Sequence, residues 1–217
     1  LTTSDGVKLS AWSIPAAASQ GTVLVCHGNA RNMSSDMDVI GMFHELGHNV
    51  MIMDYRGYGK SEGKPTEEGT YLDAQAAWDW LVGTKGESPD RILICGRSLG
   101  AAIAADLAAK NRPKALMIEG AFTSLTEAGR DRYPIFPVKL LSRYGYDTLN
   151  KLKDVKCPVL IVHSKDDEVV SVAHARRLFE AAPEKKTLLE IGGPHKGGYE
   201  PTRKKYYDGV RAFLEAV

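Results

Sequence analysis

Three kinds of polar residue in this sequence have the types and the order that nucleophilic chemistry needs. The first is Ser98, which lies in the pattern Gly96-x-Ser98-x-Gly100. This pattern is typical of a sharp strand-to-helix turn that exposes a serine hydroxyl. Because that hydroxyl is a weak nucleophile at neutral pH, it needs a base to accept its proton and an acid to orient the base.

Candidates for the base and the acid follow two later apolar runs. His195 comes shortly after the run that ends at Ile191, and three acids come shortly after the run that ends at Val162. A serine, an acid and a histidine at the ends of three successive strands could transfer an acyl group through the serine. The three acids are Asp166, Asp167 and Glu168.

Each of these residues also has a structural interpretation. Ser98 alone could cap the helix that follows it, and His195 could be an ordinary loop histidine. The acids could form a solvated turn, and we expect at least one of them to do so. The order of all three groups is much more specific than the serine motif alone, and we therefore favour the catalytic interpretation.

A carbonyl attacked by serine develops a negative oxygen that must meet waiting hydrogen-bond donors. The backbone amide of Leu99, directly after the serine, is the first expected donor. The second should come from the loop after an earlier strand, where the sequence reads His27-Gly28-Asn29. Gly28 permits a close backbone approach, and Asn29 is the predicted second donor. We interpret His27 as a side chain that braces this loop.

Short apolar runs alternate with helical patterns along the chain, and they predict the strands and helices that could position these residues. Each run is too short for a buried helix, and near-continuous hydrophobicity is typical of strands covered on both faces. The pattern predicts an α/β fold with a doubly wound, mostly parallel sheet and helices on both faces. The predicted strands are 23–26, 50–53, 92–95, 115–118, 159–162 and 188–191.

The stretch from Ala121 to Cys157 interrupts this alternation. A long excursion after a strand usually overhangs the carboxyl edge of the sheet, and we predict a short cap there. Its apolar residues could bind an acyl chain or could simply pack the cap onto the domain. The predicted substrate-binding residues are Phe136, Leu140 and Leu141.

Length and composition narrow the class of protein. The 217 residues suit one domain, 1–217, and the net charge of +1 gives no field to attract nucleic acid. Cys26 and Cys95 end apolar runs, and their position favours buried thiols in a reducing compartment. No run is long enough to span a membrane. The chain begins at Leu1 rather than Met, however, so we keep open a preceding segment that tethers it to a membrane.

No spacing of histidines and cysteines predicts a metal site, and we expect neither a metal nor a cofactor. The glycine-rich segment 54–59 lacks the lysine-serine pair of a phosphate-binding loop and has the wrong spacing for a dinucleotide. We interpret Asp54 and Arg56 as a structural pair that holds this turn.

Together these motifs resemble, in order, the landmarks of the α/β-hydrolase superfamily over nearly the whole chain. The short cap, the small size and the segment 119–124 are similar to those of the branch of bud-emergence hydrolases and protein depalmitoylase-like hydrolases. The segments that carry the resemblance are His27-Gly28-Asn29-Ala30, 54–61, Gly96-Arg97-Ser98-Leu99-Gly100, 158–163 and Gly193-Pro194-His195.

The resemblance implies the α/β-hydrolase fold and an esterase or thioesterase that needs no cofactor. It also implies that Asp167 is the catalytic acid, since the family has histidine-glycine, two variable residues and then the aspartate. Two residues depart from the family pattern: Ser164 replaces the usual glycine, and Lys196 stands where many relatives have asparagine.

We therefore expect a serine hydrolase in which Ser98, Asp167 and His195 act on a small or acylated substrate. A peptidase or amidase of the same fold is the alternative, because one triad can serve both kinds of leaving group. A binding module without catalysis is a third hypothesis. The expected location is the cytoplasm or the reducing side of a membrane.

Overall fold

The computed structural model describes residues 1–29, 32–133, 135, 143–197 and 200–217. A central sheet of seven strands runs through this part of the chain. Its strands are β1 (Ala11–Ile14), β2 (Thr22–Cys26), β3 (Asn49–Met53), β4 (Ile92–Arg97), β5 (Ala115–Glu119), β6 (Val159–Ser164) and β7 (Lys186–Ile191).

The strands lie in the order β1-β3-β2-β4-β5-β6-β7 across the sheet. β1 pairs antiparallel with β3, and the other neighbours are parallel. Parallel neighbours need crossover connections, and helices provide them. The helices are α1 (Met37–Glu45), α2 (Glu67–Asp79), α3 (Leu99–Lys110), α4 (Leu125–Arg132), α5 (Thr148–Asp154), α6 (Val172–Ala181) and α7 (Arg203–Ala216).

Two apolar layers cover the faces of the sheet. Successive residues of a strand point to opposite faces. Leu24 of β2 therefore belongs to the apolar layer that includes α2, α3, α5 and α6, whereas Val25 belongs to the layer that includes α1 and α7. All five residues of β2 and all five of β5 are buried for this reason. The α/β-hydrolase fold with helices on both faces, predicted from the sequence, is confirmed.

The six apolar runs correspond to the six parallel strands, each within two residues of its predicted ends. The antiparallel edge strand β1 was not predicted. Its sequence, Ala-Trp-Ser-Ile, is short and half exposed, with Trp12 and Ser13 facing solvent, and therefore lacks the continuous hydrophobicity of a covered strand.

Ser98, Asp167 and His195 all lie at one edge of the sheet. Ser98 directly follows β4, while Asp167 and His195 lie in the loops after β6 and β7. Because these three strands are parallel, their carboxyl ends share this edge. Ligands of open α/β sheets bind there.

The stretch 121–157, predicted to form a cap, divides between two locations. One side of α4 borders the cleft above Ser98. By contrast, α5 packs on α3, where Leu152 is fully buried and Lys151 forms an ion pair with Asp106. Phe136, Leu140 and Leu141, the predicted substrate-binding residues, lie outside the described residues.

The predicted pairing of Asp54 with Arg56 is wrong. Arg56 instead binds Asp73, from Nε to Oδ1 at 2.9 Å, and Asp5, from Nη1 to Oδ2 at 2.7 Å. Asp54 accepts a hydrogen bond from the backbone amide of Met33 at 2.6 Å. Both residues hold turns, but each does so with partners distant in sequence.

The cysteine prediction is confirmed: Cys26 and Cys95 are buried free thiols, as is Cys157. Burial raises the pKa of the Cys26 thiol to about 12. In the described part of the chain, no helix is long and apolar enough to cross a membrane.

Candidate active site

Ser98 sits at the turn between β4 and α3 in a strained backbone conformation, with φ 51° and ψ −116°. Residues other than glycine rarely adopt a positive φ. The flanking glycines make the turn possible, because a Cβ at Gly96 would approach Ala104 Cβ to 2.6 Å and a Cβ at Gly100 would overlap the carbonyl oxygen of Cys26. The turn thus needs small residues on both sides of the serine.

His195 bridges the serine and the acid. Its Nε2 atom lies 3.1 Å from Ser98 Oγ, and its Nδ1 atom lies 2.6 Å from Asp167 Oδ2. A carboxylate can only accept, so Nδ1 carries the proton and Nε2 is left free to accept the serine proton. The structure therefore brings together the three residues that the sequence predicted.

Asp167 is held firmly at its place after β6. Its Oδ1 atom accepts hydrogen bonds from the backbone amides of Val169 at 2.9 Å and Val170 at 2.8 Å, and its side chain is 2% exposed. Burial raises the pKa of this carboxyl. The hydrogen bonds from His195 and from the two amides outweigh that effect, and the pKa lies below its usual value.

A second histidine, His163, lies beneath the acid. Its Nε2 atom donates to the carbonyl oxygen of Val170 at 2.8 Å and is 3.4 Å from Asp167 Oδ2. Burial lowers the pKa of His163, which favours the neutral ring. His163 thus anchors the loop that carries Asp167, because it joins the end of β6 to Val170.

The two neighbours of Asp167 hold the histidine loop by its backbone. Asp166 Oδ2 accepts from the amide of Gly193 at 3.1 Å, and Glu168 Oε2 accepts from the amide of His195 at 2.9 Å. Ser164 Oγ donates to the carbonyl oxygen of Gly193 and accepts from the amide of Asp166. Asp166 and Glu168 are both exposed to solvent, as the sequence led us to expect of at least one acid, but their hydrogen bonds to the histidine loop were not predicted.

Gly120, directly after β5, borders the histidine ring. A Cβ at this position would lie 3.1 Å from His195 Cε1, and the residue has φ +58°. Glycine both tolerates this conformation and leaves room for the ring. This residue was not singled out in the sequence.

The two predicted amide donors border the cleft beside Ser98. Leu99 is the first residue of α3, and the amides of a first helical turn have no partner within the helix. Gly28 packs against the turn, since a Cβ there would lie 3.5 Å from Ser98 Cβ. The side chain of the next residue, Asn29, accepts a hydrogen bond from Tyr58 at 2.8 Å through its Oδ1 atom.

His27 braces this loop from below, as predicted. Its side chain is fully buried, and Nδ1 donates to the carbonyl oxygen of Gly28 at 2.7 Å. Tyr55 donates to the carbonyl oxygen of His27 at 3.1 Å. Burial lowers the pKa of His27, which suits a neutral structural ring.

Arg97, the residue before the serine, ties the turn to neighbouring elements. Its guanidinium binds Asp36 at 2.8 Å and Asp38 at 3.1 Å, and lies 3.5 Å from Glu119. Tyr206 of α7 donates to Glu119 at 2.6 Å. This cluster links the start of α1, the end of β5 and α7 beneath the serine.

The cleft above Ser98 has a volume of about 1110 Å³. Its walls combine aromatic rings, such as Phe122 and Tyr144, with aliphatic side chains from α4 and from the loop after Asp167. Within the described residues, no group of three or more histidine, cysteine and acidic side chains could hold a metal ion. The described polar groups beside the cleft include the Ser98 hydroxyl, the His195 ring bonded to Asp167, and the amides of Leu99 and Asn29.

Comparisons with known proteins agree with this fold. A family model described as serine aminopeptidase, S33 matches residues 17–145. An uncharacterized protein of Mycobacterium tuberculosis is 37% identical over 98% of this chain and 76% of its own length. The alpha/beta hydrolase domain-containing protein WAV2 of Arabidopsis thaliana is 33% identical over 99% of this chain and 77% of its own.

Among solved structures, the esterase Pf2001 of Pyrococcus furiosus superposes with a TM-score of 0.81. It is 25% identical in sequence, and the match covers all of this chain and 90% of the esterase.

Proposed function

The chain belongs to the α/β-hydrolase superfamily, and from that premise we propose that it is a serine hydrolase that cleaves a carboxylic ester or thioester through an acyl-enzyme intermediate. One observation carries the proposal: His195 lies within hydrogen-bond reach of both Ser98 Oγ and Asp167 Oδ2. We also propose that residues 1–217 form one domain that acts on a small or acylated substrate.

In the first half of the reaction, Ser98 Oγ attacks the carbonyl carbon while His195 Nε2 takes its proton. Asp167 does not take a proton; it stabilises the imidazolium and keeps the proton of the neutral ring on Nδ1. His195 then gives the proton to the leaving alcohol or thiol as the carbon–oxygen or carbon–sulfur bond breaks. The acyl group remains on Ser98.

The negative oxygen of the tetrahedral intermediate is bound by the backbone amides of Leu99 and Asn29. Donors already aimed at a developing charge commonly contribute 10²- to 10³-fold to the rate of acyl transfer. Tyr58 supports this arrangement because it fixes the side chain of Asn29.

Water completes the cycle. His195 Nε2 takes a proton from a water molecule that attacks the acyl carbon, and returns this proton to Ser98 Oγ as the acyl–serine bond breaks. The products are a carboxylic acid and the regenerated serine. No external oxidant or reductant is needed for this sequence of steps.

A peptidase or amidase is the second candidate, favoured by the description of the matching family as serine aminopeptidase. The similarity to an esterase, at 25% identity over the whole chain, supports the hypothesis of ester cleavage. Amide cleavage requires protonation of a much poorer leaving group than ester cleavage does. The relative rates on matched esters and amides therefore distinguish the two activities.

The proposal is tested with aryl esters, acyl thioesters and aminoacyl 4-nitroanilides of one acyl length, together with a fluorophosphonate probe. We expect ester or thioester turnover and a probe adduct on Ser98. Both should be lost in Ser98→Ala and kept in Ser4→Ala, which changes an exposed serine that is not among the described residues lining the cleft.

Turnover of the nitroanilides in preference to esters would favour the peptidase. No turnover and no adduct in the folded protein would leave a binding module.

A further inference from the structure

Among the described residues that line the cleft, each acid already has a partner at both carboxylate oxygens. Asp36 and Glu119 are the acidic residues among its described walls. Asp36 Oδ1 binds Arg97 at 2.8 Å, and Oδ2 accepts from Ser35 at 3.2 Å. Glu119 Oε1 lies 3.5 Å from Arg97, and Oε2 accepts from Tyr206 at 2.6 Å. Both residues are less than a tenth exposed.

Two cations of the same cleft are in the opposite situation. Arg132 and Lys196 border it and are exposed to solvent. Neither forms an ion pair with any residue in the ranges that the structure describes. Among the described residues that line the cleft, the exposed charges are therefore positive, although the buried cluster around Arg97 contains more acids than bases.

The position of Lys196 in the chain associates it with the leaving group of a substrate. It directly follows His195, the residue proposed to protonate the leaving group. Arg132 lies at the outer end of α4, whose side toward the cleft begins with the half-buried Leu125 and Ala128. The wall thus changes along α4 from apolar to cationic as it reaches solvent.

From this arrangement, and resting on the proposed serine hydrolase function, we propose that the cleft accepts an ester or thioester with an anionic leaving group. The leaving alcohol or thiol carries a carboxylate or phosphate, which Arg132 and Lys196 bind at the mouth. The uncharged acyl part lies against the apolar walls of the cleft, because burial of its methylenes away from water is favourable.

The same charges argue against a free amino terminus in the cleft. An aminopeptidase must bind the ammonium group of its substrate, and a carboxylate with an unused oxygen is the natural partner. Asp36 and Glu119 cannot provide one without losing the hydrogen bonds that hold Arg97. An ammonium group at the mouth would instead meet two cations.

The test compares three butyrate-length esters whose rates are divided by their rates of hydrolysis in hydroxide. These are neutral 4-nitrophenyl butyrate, 3-carboxy-4-nitrophenyl butyrate with the anion on the leaving group, and 4-nitrophenyl hemiglutarate with the anion on the acyl group. We expect kcat/KM to favour the second ester over both others. This preference should shrink in 0.5 M NaCl, because salt screens exposed charges.

Variants locate the preference. Arg132→Gln and Lys196→Gln should each lower the ratio of anionic to neutral kcat/KM by about three-fold, and the double variant by about ten-fold, as is typical of solvent-exposed ion pairs. Lys196→Glu should reverse the preference. Arg130→Gln and Lys165→Gln remove exposed cations that do not border the cleft, and should leave the ratio unchanged.

The outcomes separate this inference from the function on which it rests. Hydrolysis of the neutral ester without preference for the anionic leaving group, or an equal loss in the Arg130 and Lys165 controls, would overturn the inference alone. A preference for the hemiglutarate would overturn it too, by moving the anion to the acyl side. Absence of any ester turnover and of probe labelling at Ser98 would overturn both.

Discussion

Glu168 accepts a hydrogen bond from the backbone amide of His195, at 2.9 Å from its Oε2 atom. The histidine is thus held at its backbone by one residue and at its ring by the neighbouring Asp167. This bond lowers the pKa of Glu168, which keeps the carboxylate charged at neutral pH. This geometry indicates that Glu168 positions His195, the proposed catalytic base, through its backbone.

We therefore expect Glu168→Ala to lower kcat several-fold while KM and the thermal midpoint change little, because only the placement of the ring is loosened. Glu168→Gln keeps an oxygen that accepts from the same amide, and should recover most of the rate. Steady-state kinetics and thermal melts of both variants measure this. An equal loss in Glu168→Gln, or a loss that follows thermal stability, would contradict a positioning role.

Asp167→Asn should be far slower than Asp166→Asn. Asparagine at 167 can present its amide nitrogen to His195 Nδ1 and so favour the wrong tautomer; in a well-studied triad this change costs about 10⁴-fold in kcat. The Asp166 carboxylate accepts from the backbone amide of Gly193 rather than from the His195 ring, and we expect its substitution to cost less than ten-fold. The kcat of the two variants decides the matter, and the reverse ranking would assign the catalytic acid to Asp166.

Much of the framework was predictable from the sequence because its signals are local. Strands covered on both faces are continuously apolar, as in 92–95, and a sharp turn around Ser98 requires small neighbours at Gly96 and Gly100. The order of serine, acid and histidine could be read along the chain for the same reason.

Other features depend on contacts between distant segments. Arg56 binds Asp5, which lies 51 residues away, rather than the nearby Asp54. The hydrogen bonds of Asp166 and Glu168 to the histidine loop join residues 27 apart. The donors are backbone amides, which every residue but proline has, so the sequence does not indicate them. Only the folded path of both loops reveals these contacts.

Stability should fall as the pH drops below about 6.5, because buried histidines, His27 and His163 among them, are held neutral. Burial lowers the pKa of His27 and of His163 below the ordinary 6.5 that each regains on unfolding. The unfolded chain therefore binds protons that the folded chain does not, and their contribution to stability is complete above pH 6.5 and declines below it. The limiting slope is about 1.4 kcal/mol per pH unit for each histidine.

Urea unfolding at pH 7.5, 6.5 and 5.5 measures this dependence. His163→Gln retains a donor for the carbonyl oxygen of Val170 but does not titrate. Between pH 6.5 and 5.5, the unfolding free energy of this variant should therefore depend less on pH than that of the wild type, by an amount equivalent to at most one proton. A wild-type stability that stays level or rises toward pH 5.5 would be inconsistent with neutral buried rings.

Ser98→Gly should be more stable than Ser98→Ala by about 1 kcal/mol. Both variants lack the hydroxyl that bonds His195, so that they differ in the Cβ alone. At φ 51° and ψ −116° a residue with a Cβ carries strain of about 1–3 kcal/mol, which glycine relieves. Glycine also makes the unfolded chain more flexible, which offsets about 0.4–1 kcal/mol of this gain. The free energies of unfolding in urea at pH 7.5 give the difference. An alanine variant as stable as the glycine variant would show that the backbone conformation at residue 98 is not strained.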